Sequence, residues 1–487
     1  MQAGTTRPGA SLPVPALSHP WLSEALRRAL GRRPPLGRLL AGLVREVAGA
    51  GGTAYLVGGY LRNIVEGREP GDVDLLVTGL SYRRTGDVLR SLSVTVPGIR
   101  KVVAAGRHFP VHRIAVNWGK EYIDVSNARA GGRPRPQQPG AARDDGHGWP
   151  GAGTGRDAPG SVVPADDREA VDDASRRDFT INSLLFRLSP DGGVGNGILL
   201  DPFGGIEDLR RKRIRSVGDP ADRFREDPLR IVRAIRLKNE RPGFLIGRKT
   251  ASSIRRLGPD LLPTVPPDRI SVELVRSLSA DPAGTVADLR RFALLRVLLP
   301  ESGRPTKRAA ERIASRYRIL RRSFGAPLPL PLLLGNLLAD LRWEVALAAA
   351  RRLRLPELRQ VASMLRSLDT LTDPQALRFP RAETESVLIG SKDTSGLLAL
   401  YRAVQRTGNR PLRDLRRFMR KCLSTPSFIN GNWLEKQGFT EGPERREILL
   451  RIREETLAGK VRRRADAERL AESMRPANVR GKRTSGR

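Results

Sequence analysis

Asp72 and Asp74 are separated by one residue at the head of an apolar run, Val73-Asp74-Leu75-Leu76-Val77. Side chains alternate along a strand, so carboxylates two apart face the same way. Two like charges on one face repel unless a cation lies between them, and hard oxygen ligands suit Mg²⁺. Upstream, Gly58-Gly59 closes the apolar segment Tyr55-Leu56-Val57 and opens a short helical pattern containing Arg62. Glycines at the start of a helix let backbone N–H groups approach a phosphate closely. A phosphate cradle beside paired carboxylates is the equipment of metal-dependent nucleotidyl transfer, in which two divalent ions activate a hydroxyl and steady a pyrophosphate leaving group. Asp124, in Ile123-Asp124-Val125, offers a further strand carboxylate as a supporting candidate.

Two later segments complete the chemistry. Arg176-Arg177-Asp178 opens an apolar stretch running through Asn182, and guanidinium groups suit the bidentate geometry of phosphates. Glu226-Asp227-Pro228-Leu229-Arg230 starts a helix, because proline is tolerated only in a first turn. The spacing of three sets Asp227 and Arg230 on one face. A carboxylate accepts from an exocyclic amino group, and a guanidinium donates to the neighbouring ring nitrogen. Cytosine and adenine present that pattern; uracil and guanine present its reverse. One Asp–Arg pair therefore accepts CTP and ATP and rejects UTP and GTP, since a mismatch buries unpaired polar groups.

These residues need a scaffold. Strands are expected at Thr53–Val57, Val73–Val77, Ile99–Ala104, Val111–Val116, Tyr122–Val125, Leu184–Leu188 and Gly197–Leu200, with a helix over Tyr82–Leu92. The fold class is an α/β nucleotidyltransferase head followed by an all-helical remainder. Residues 1–33 read as a poorly ordered N-terminal segment, 34–215 as the α/β head, 216–300 as a helical stretch carrying the candidate base-selecting helix, 301–472 as further helices and 473–487 as a basic tail. Within the head, 130–165 is rich in Gly, Pro, Arg and Asp and reads as a disordered insertion.

The chain has 487 residues with 87 Lys+Arg against 52 Asp+Glu, a formal net charge of +35. Such a field calls for a polyanionic partner, RNA or DNA first. No apolar run is long enough for a bilayer and no signal-peptide pattern opens the chain, so no membrane role is expected. One cysteine, Cys422, excludes an internal disulfide and suits the cytoplasm. Four dispersed histidines (His19, His108, His112, His147) argue against a zinc site.

With these residues in hand, the sequence resembles the class II tRNA nucleotidyltransferases (CCA-adding enzymes) and the related bacterial poly(A) polymerases. The blocks that carry the resemblance are Gly58-Gly59 to Asp74, Arg176 to Asn182, Asp201 to Leu209, Glu226 to Arg236, Asp268 to Leu274 and Leu298 to Glu301, with Phe428 to Leu434 near the end. The resemblance implies a polymerase-β-like head with neck, body and tail, Mg²⁺, and no nucleic-acid template. It also implies tRNA as partner, ATP and CTP as substrates, and no protein partner. By it, Asp72 and Asp74 are catalytic metal ligands, and Gly58, Gly59 and Arg62 contact phosphate. Arg177 and Asp178 address the ribose, Asp227 and Arg230 select the base, and Asp124, Arg176, Asn182 and Arg233 are supporting candidates. Two departures stand out. Asn63 occupies a position where the family has Asp, and the 130–165 insertion replaces a shorter loop that helps CCA-adding members switch from CTP to ATP. Full CCA addition, CC-only or A-only addition and poly(A) synthesis stay open. A catalytically silent RNA-binding protein is the alternative from another class.

Overall fold

A computed structural model describes residues 20–105, 110–118, 122–128, 167–190, 197–302, 307–372, 399–404, 425–439 and 443–475. The 130–165 insertion, the first 19 residues, Gly106–Phe109, Gly442 and the basic tail from 476 lie outside the described residues. The chain divides into two compact units, Met1–Arg230 with Gly243–Ser253, and Ile231–Pro242 with Ile254–Arg487.

The first unit is built on a seven-stranded mixed sheet. Its strands are β1 (Thr53–Val57), β2 (Val73–Thr78), β3 (Ile99–Ala105), β4 (Val111–Val116), β5 (Tyr122–Asn127), β6 (Leu185–Leu188) and β7 (Gly197–Leu200). The order is β3-β4-β5-β2-β1-β6-β7. Only β2 and β5 pair in parallel; all other neighbours are antiparallel. The two central strands, β1 and β2, carry nearly continuous buried apolar runs, as strands covered on both faces must.

Helix α1 (Pro20–Gly31) and helix α2 (Pro34–Gly49) precede the sheet. Leu22, Leu26 and Leu30, spaced by four, are buried on α1, and each buried leucine contributes about 1.5–3 kcal/mol. The expectation of poor order over 1–33 is therefore corrected for residues 20–33: packing against neighbouring helices supplies what a short isolated helix lacks. Helix α3 (Gly58–Val65) leads directly out of β1, and α4 (Tyr82–Thr95) follows β2. Helix α5 (Arg168–Ser175) follows β5 in the described chain. It covers the face of β1, β2 and β6 formed by Tyr55, Val57, Leu76 and Leu185, through Ala170 and Ala174.

A buried polar knot holds the start of α5. The Tyr55 hydroxyl donates to Asp167 Oδ1 at 2.7 Å, and Arg187 reaches both Asp167 oxygens at 3.2 and 3.3 Å. Burial and the adjacent Asp167 carboxylate push the Tyr55 hydroxyl above its usual range.

Helix α6 (Gly205–Arg210) and the short parallel pair β8 (Arg213–Ile214) and β9 (Leu245–Ile246) close the unit. That pairing draws Gly243–Ser253 back to the first unit, whose other part ends at Arg230. Between Pro220 and Asn239 the chain forms two helices, α7 (Pro220–Glu226) and α8 (Leu229–Asn239). Pro228 lacks an N–H and disfavours helical geometry in the residue before it, which breaks the run.

The second unit is helical, with α9 (Arg248–Leu261) entering it, then α10 (Pro267–Ala280), α11 (Pro282–Arg291), α12 (Leu295–Leu298), α13 (Lys307–Phe324), α14 (Leu330–Leu338), α15 (Trp343–Arg352) and α16 (Leu358–Thr372). Helices α10 and α11 start at prolines, because proline fits the first helical turn. Near the C-terminus Ile429, Leu434, Phe439, Ile448 and Ile452 form a separate small core. No helix among the described residues is long and apolar enough to cross a membrane.

Candidate active site

Val57 at the end of β1 pairs with Asp74 on β2. The chain turns into α3 at that point with Gly58 at φ 69°. A Cβ on Gly58 would lie 2.9 Å from Asp74 Oδ2 and 3.5 Å from an Arg177 guanidinium nitrogen. Glycine is required here twice, for its left-handed backbone and for the space. The next N–H, of Gly59, donates to the Asp74 carboxylate. The helix start that looked like a phosphate cradle therefore also holds a catalytic candidate in place.

Asp74 lies directly beside Asp124 in the parallel β2–β5 pairing. Burial raises the Asp74 carboxyl to about 6; Arg177 opposes the rise, while Asp124 and Asp72 reinforce it. Asp72 immediately precedes β2 and is exposed. Asp124 is engaged by Arg113 across β4–β5, which donates from Nε and from one terminal nitrogen at 2.7 Å each. That bidentate pair partly neutralises Asp124. Arg113 escaped the sequence reading: it is one charged residue in an apolar strand, and only the strand register reveals its partner.

The donor chemistry fits a divalent cation. Two hard carboxylates stand on alternate positions, Asp72 exposed and Asp74 half-buried, and desolvation first, then the like charges of Asp124 and Asp72, destabilises the charged form of Asp74. No cluster of three His, Cys, Asp or Glu able to hold a metal occurs among the described residues, so the remaining oxygens would come from substrate phosphates and water. Mg²⁺ typically binds in that way.

Around this pair the structure assembles most of the motif residues. Arg177 contacts Asp173 at 3.3 Å and the Asn182 carbonyl at 3.3 Å. The Asn182 side chain accepts from Arg62 and donates to Asp178 Oδ1 at 2.9 Å. Asp178 Oδ1 also accepts the Phe179 N–H at 2.8 Å. Arg62 is buried, 8% exposed; its guanidinium reaches Asn63 Oδ1 at 3.0 Å and Glu66 at 3.7 Å. Asn63, the departure noted above, thus serves as an acceptor for Arg62.

The RRD segment also meets the helix that follows α7. Arg230 donates to the Arg176 carbonyl at 2.7 Å, to the Arg223 carbonyl at 3.1 Å and to Glu226 at 3.2 Å. Arg176 itself pairs with Asp172 at 2.5 Å. Asp227 lies outside α8, its carboxylate accepting the Leu229 N–H at 3.3 Å. The three-residue spacing to Arg230 is therefore a cap-to-first-turn relation rather than one helical face, because Pro228 delays the helix. Arg233 belongs to the second unit, where it pairs with Glu273 at 3.1 Å.

Against known proteins, the family model for the poly A polymerase head domain matches residues 54–215. The model for a probable RNA- and SrmB-binding site of polymerase A matches 243–303. The chain is 30% identical to a CCA-adding enzyme of Geobacillus stearothermophilus over 286 residues, 59% of each chain. It is 33% identical to poly(A) polymerase I of Salmonella typhi over 255 residues, 52% of this chain and 47% of that one. The match thus spans about half the length of these curated relatives. A solved Thermotoga maritima CCA-adding enzyme in complex with tRNA-CCA superposes with a TM-score of 0.62, covering 92% of this chain and 98% of that one at 21% identity. That likeness shows a shared fold. Residues 54–215 are thus similar to the poly A polymerase head domain, and both CCA-adding enzymes and poly(A) polymerases are among the proteins the chain resembles.

Proposed function

We propose that this protein is a template-independent nucleotidyltransferase that adds C and A to the 3′ end of tRNA from CTP and ATP. The observation that carries the reading is the pair Asp72–Asp74, with Gly58 packed on the Asp74 carboxylate and Arg177 alongside. In this reading the acceptor 3′-hydroxyl releases its proton to water as its oxygen bonds to the α-phosphorus, and the bond to the bridging oxygen breaks as pyrophosphate departs. Asp72 and Asp74 would hold Mg²⁺, which when bound supplies positive charge against the triphosphate. The Gly58–Gly59 helix start and Arg177 orient the phosphates. Arg62 and Asp178, joined through Asn182, set the ribose and phosphate positions from behind. Asp227 and Arg230 read the base edge, while Arg176 and Asp124 support the site. The helical second unit and the net charge of +35 supply the phosphate-directed grip on RNA. A cytoplasmic location agrees with the single cysteine.

The poly(A) polymerase relative, at 33% identity, makes A-only elongation the second reading. One experiment separates them. Purified tRNAs ending before CCA, after C and after CC are offered CTP and ATP singly and together with Mg²⁺. Completion of CCA and stopping is the expected result. Long A-tracts would replace it with poly(A) synthesis, and RNA binding without incorporation would remove the enzymatic reading.

A further inference from the structure

On the assumption of nucleotidyl transfer, the groups suited to the triphosphate all lie on the β1 side of Asp74: Gly58, Gly59 and Arg177. The attacking and leaving oxygens of a phosphoryl transfer stand roughly in line. The acceptor 3′ end must then arrive from the other side of Asp74, over β5 and β4. The residues there share a face by register: Asp74 pairs with Asp124, and Asp124 with Arg113. Tyr122, two positions along β5 from Asp124, is on the same face. Continuing the parallel register by one residue from the Val73–Ile123 pair sets Tyr122 beside Asp72.

Tyr122 has an unusual setting for a tyrosine at a sheet face. It is 41% exposed, and the Arg113 guanidinium lies over its ring at 5.1 Å. Arg113 commits Nε and one terminal nitrogen to Asp124, so the ring is steadied from a fixed support while part of it still faces solvent. Arg113 also feels the charge of Asp72, and its partner Asp124 acts on Asp74. An exposed aromatic beside a catalytic carboxylate pair is the surface on which an unpaired RNA base stacks, without regard to base identity.

We propose that Tyr122, braced by the Arg113–Asp124 pair, is the stacking platform for the 3′-terminal base of the acceptor RNA. Because every base offers a π-face, the platform accepts an RNA ending in any nucleotide. That tolerance suits an enzyme whose product at one step is the acceptor at the next. The alternative role for Tyr122 is only to shield the Arg113–Asp124 ion pair from water.

The test uses the full-length protein and an RNA acceptor carrying 2-aminopurine as its 3′-terminal nucleotide, in EDTA and without nucleoside triphosphate. Wild type should quench the fluorophore on binding. Tyr122→Ala should bind the RNA without that quench, and Tyr122→Phe or Tyr122→Trp should restore it. In steady-state assays with Mg²⁺, Tyr122→Ala should raise the acceptor KM about tenfold, within the range that base–aromatic stacking supplies, and leave the CTP and ATP KM unchanged. Equal quenching by wild type and Tyr122→Ala overturns the platform, as does a rise confined to the nucleotide KM. A wild type that incorporates nothing into any RNA defeats the nucleotidyltransferase reading instead, so the two failures are separable.

Discussion

Gly58→Ala tests the way this site is assembled. The backbone at Gly58 has φ 69°, and forcing an L-residue into that region costs roughly 1–2 kcal/mol. The new methyl would stand 2.9 Å from Asp74 Oδ2, when carbon contacts prefer about 3.5 Å or more. The carboxylate must therefore retreat by about half an ångström, the limit within which catalytic groups retain productive geometry. We expect a loss of about 2 kcal/mol in urea denaturation and a fall in kcat/KM of ten- to a hundredfold, since misplacements of this order are that damaging. Gly59→Ala is the matched control. Its methyl would meet Arg62 at 3.5 Å, an ordinary contact, within a helix. Alanine is favoured there over glycine by up to about 1 kcal/mol, so stability should hold or rise. Any activity lost in Gly59→Ala then reports close approach of a ligand to that backbone. Wild-type stability and rate in Gly58→Ala, or equal destabilisation in both variants, would refute the reasoning.

Four further outcomes are expected. The raised Asp74 carboxyl, at about 6 against an ordinary 3.8, binds its proton more tightly in the folded chain. In EDTA, stability should therefore fall as pH rises from about 4 to 6, by up to about 3 kcal/mol. Asp74→Asn should flatten that decline while abolishing incorporation; an unchanged pH slope of Tm in Asp74→Asn would count against it. Asn182→Asp retains an acceptor for Arg62 but sets a carboxylate against Asp178, so nucleotide KM should rise about tenfold, as loss of a charged hydrogen bond implies, and a wild-type value would show that the link is idle. Arg230→Ala should relax the choice of CTP and ATP over UTP and GTP in single-nucleotide incorporation; an unaltered preference removes Arg230 from base selection. RNA affinity should fall steeply between 50 and 200 mM salt, with a log–log slope of several units, and a flat response in a filter-binding titration would contradict the electrostatic grip.

Much of the head was legible because its signals are local. The limits of Thr53–Val57 and Val111–Val116 follow from apolar runs bounded by turn residues, and the observed strands have those limits. Gly58-Gly59 and the two aspartates could be picked out as a candidate site from neighbouring residues alone. Pro228 announced a helix start, and α8 begins at the next residue. Other features were hidden because their causes lie far away in the chain. The first helix, α1, is ordered by burial of three leucines against other elements. Tyr55 and Asp167 are 112 residues apart, yet their hydrogen bond anchors α5 and, with it, the approach to Arg177.

The same division runs through the candidate site. The amino-acid sequence by itself determined which groups are present and which way they face: two carboxylates on alternate positions, glycines at a helix start, arginines and an aspartate in one segment. Alternation and helix initiation depend on the nearest few residues, so they survive without the fold. Tertiary structure decided what state those groups are in. Strand register, set by burial of whole faces, placed Asp124 beside Asp74 and then occupied it with Arg113. Cross-chain packing gave Arg62 and Asp178 a common partner in Asn182 and carried Arg230 to the Arg176 carbonyl. Charge and hydrogen bonding act through space, and the distances that govern them exist only once the chain is folded.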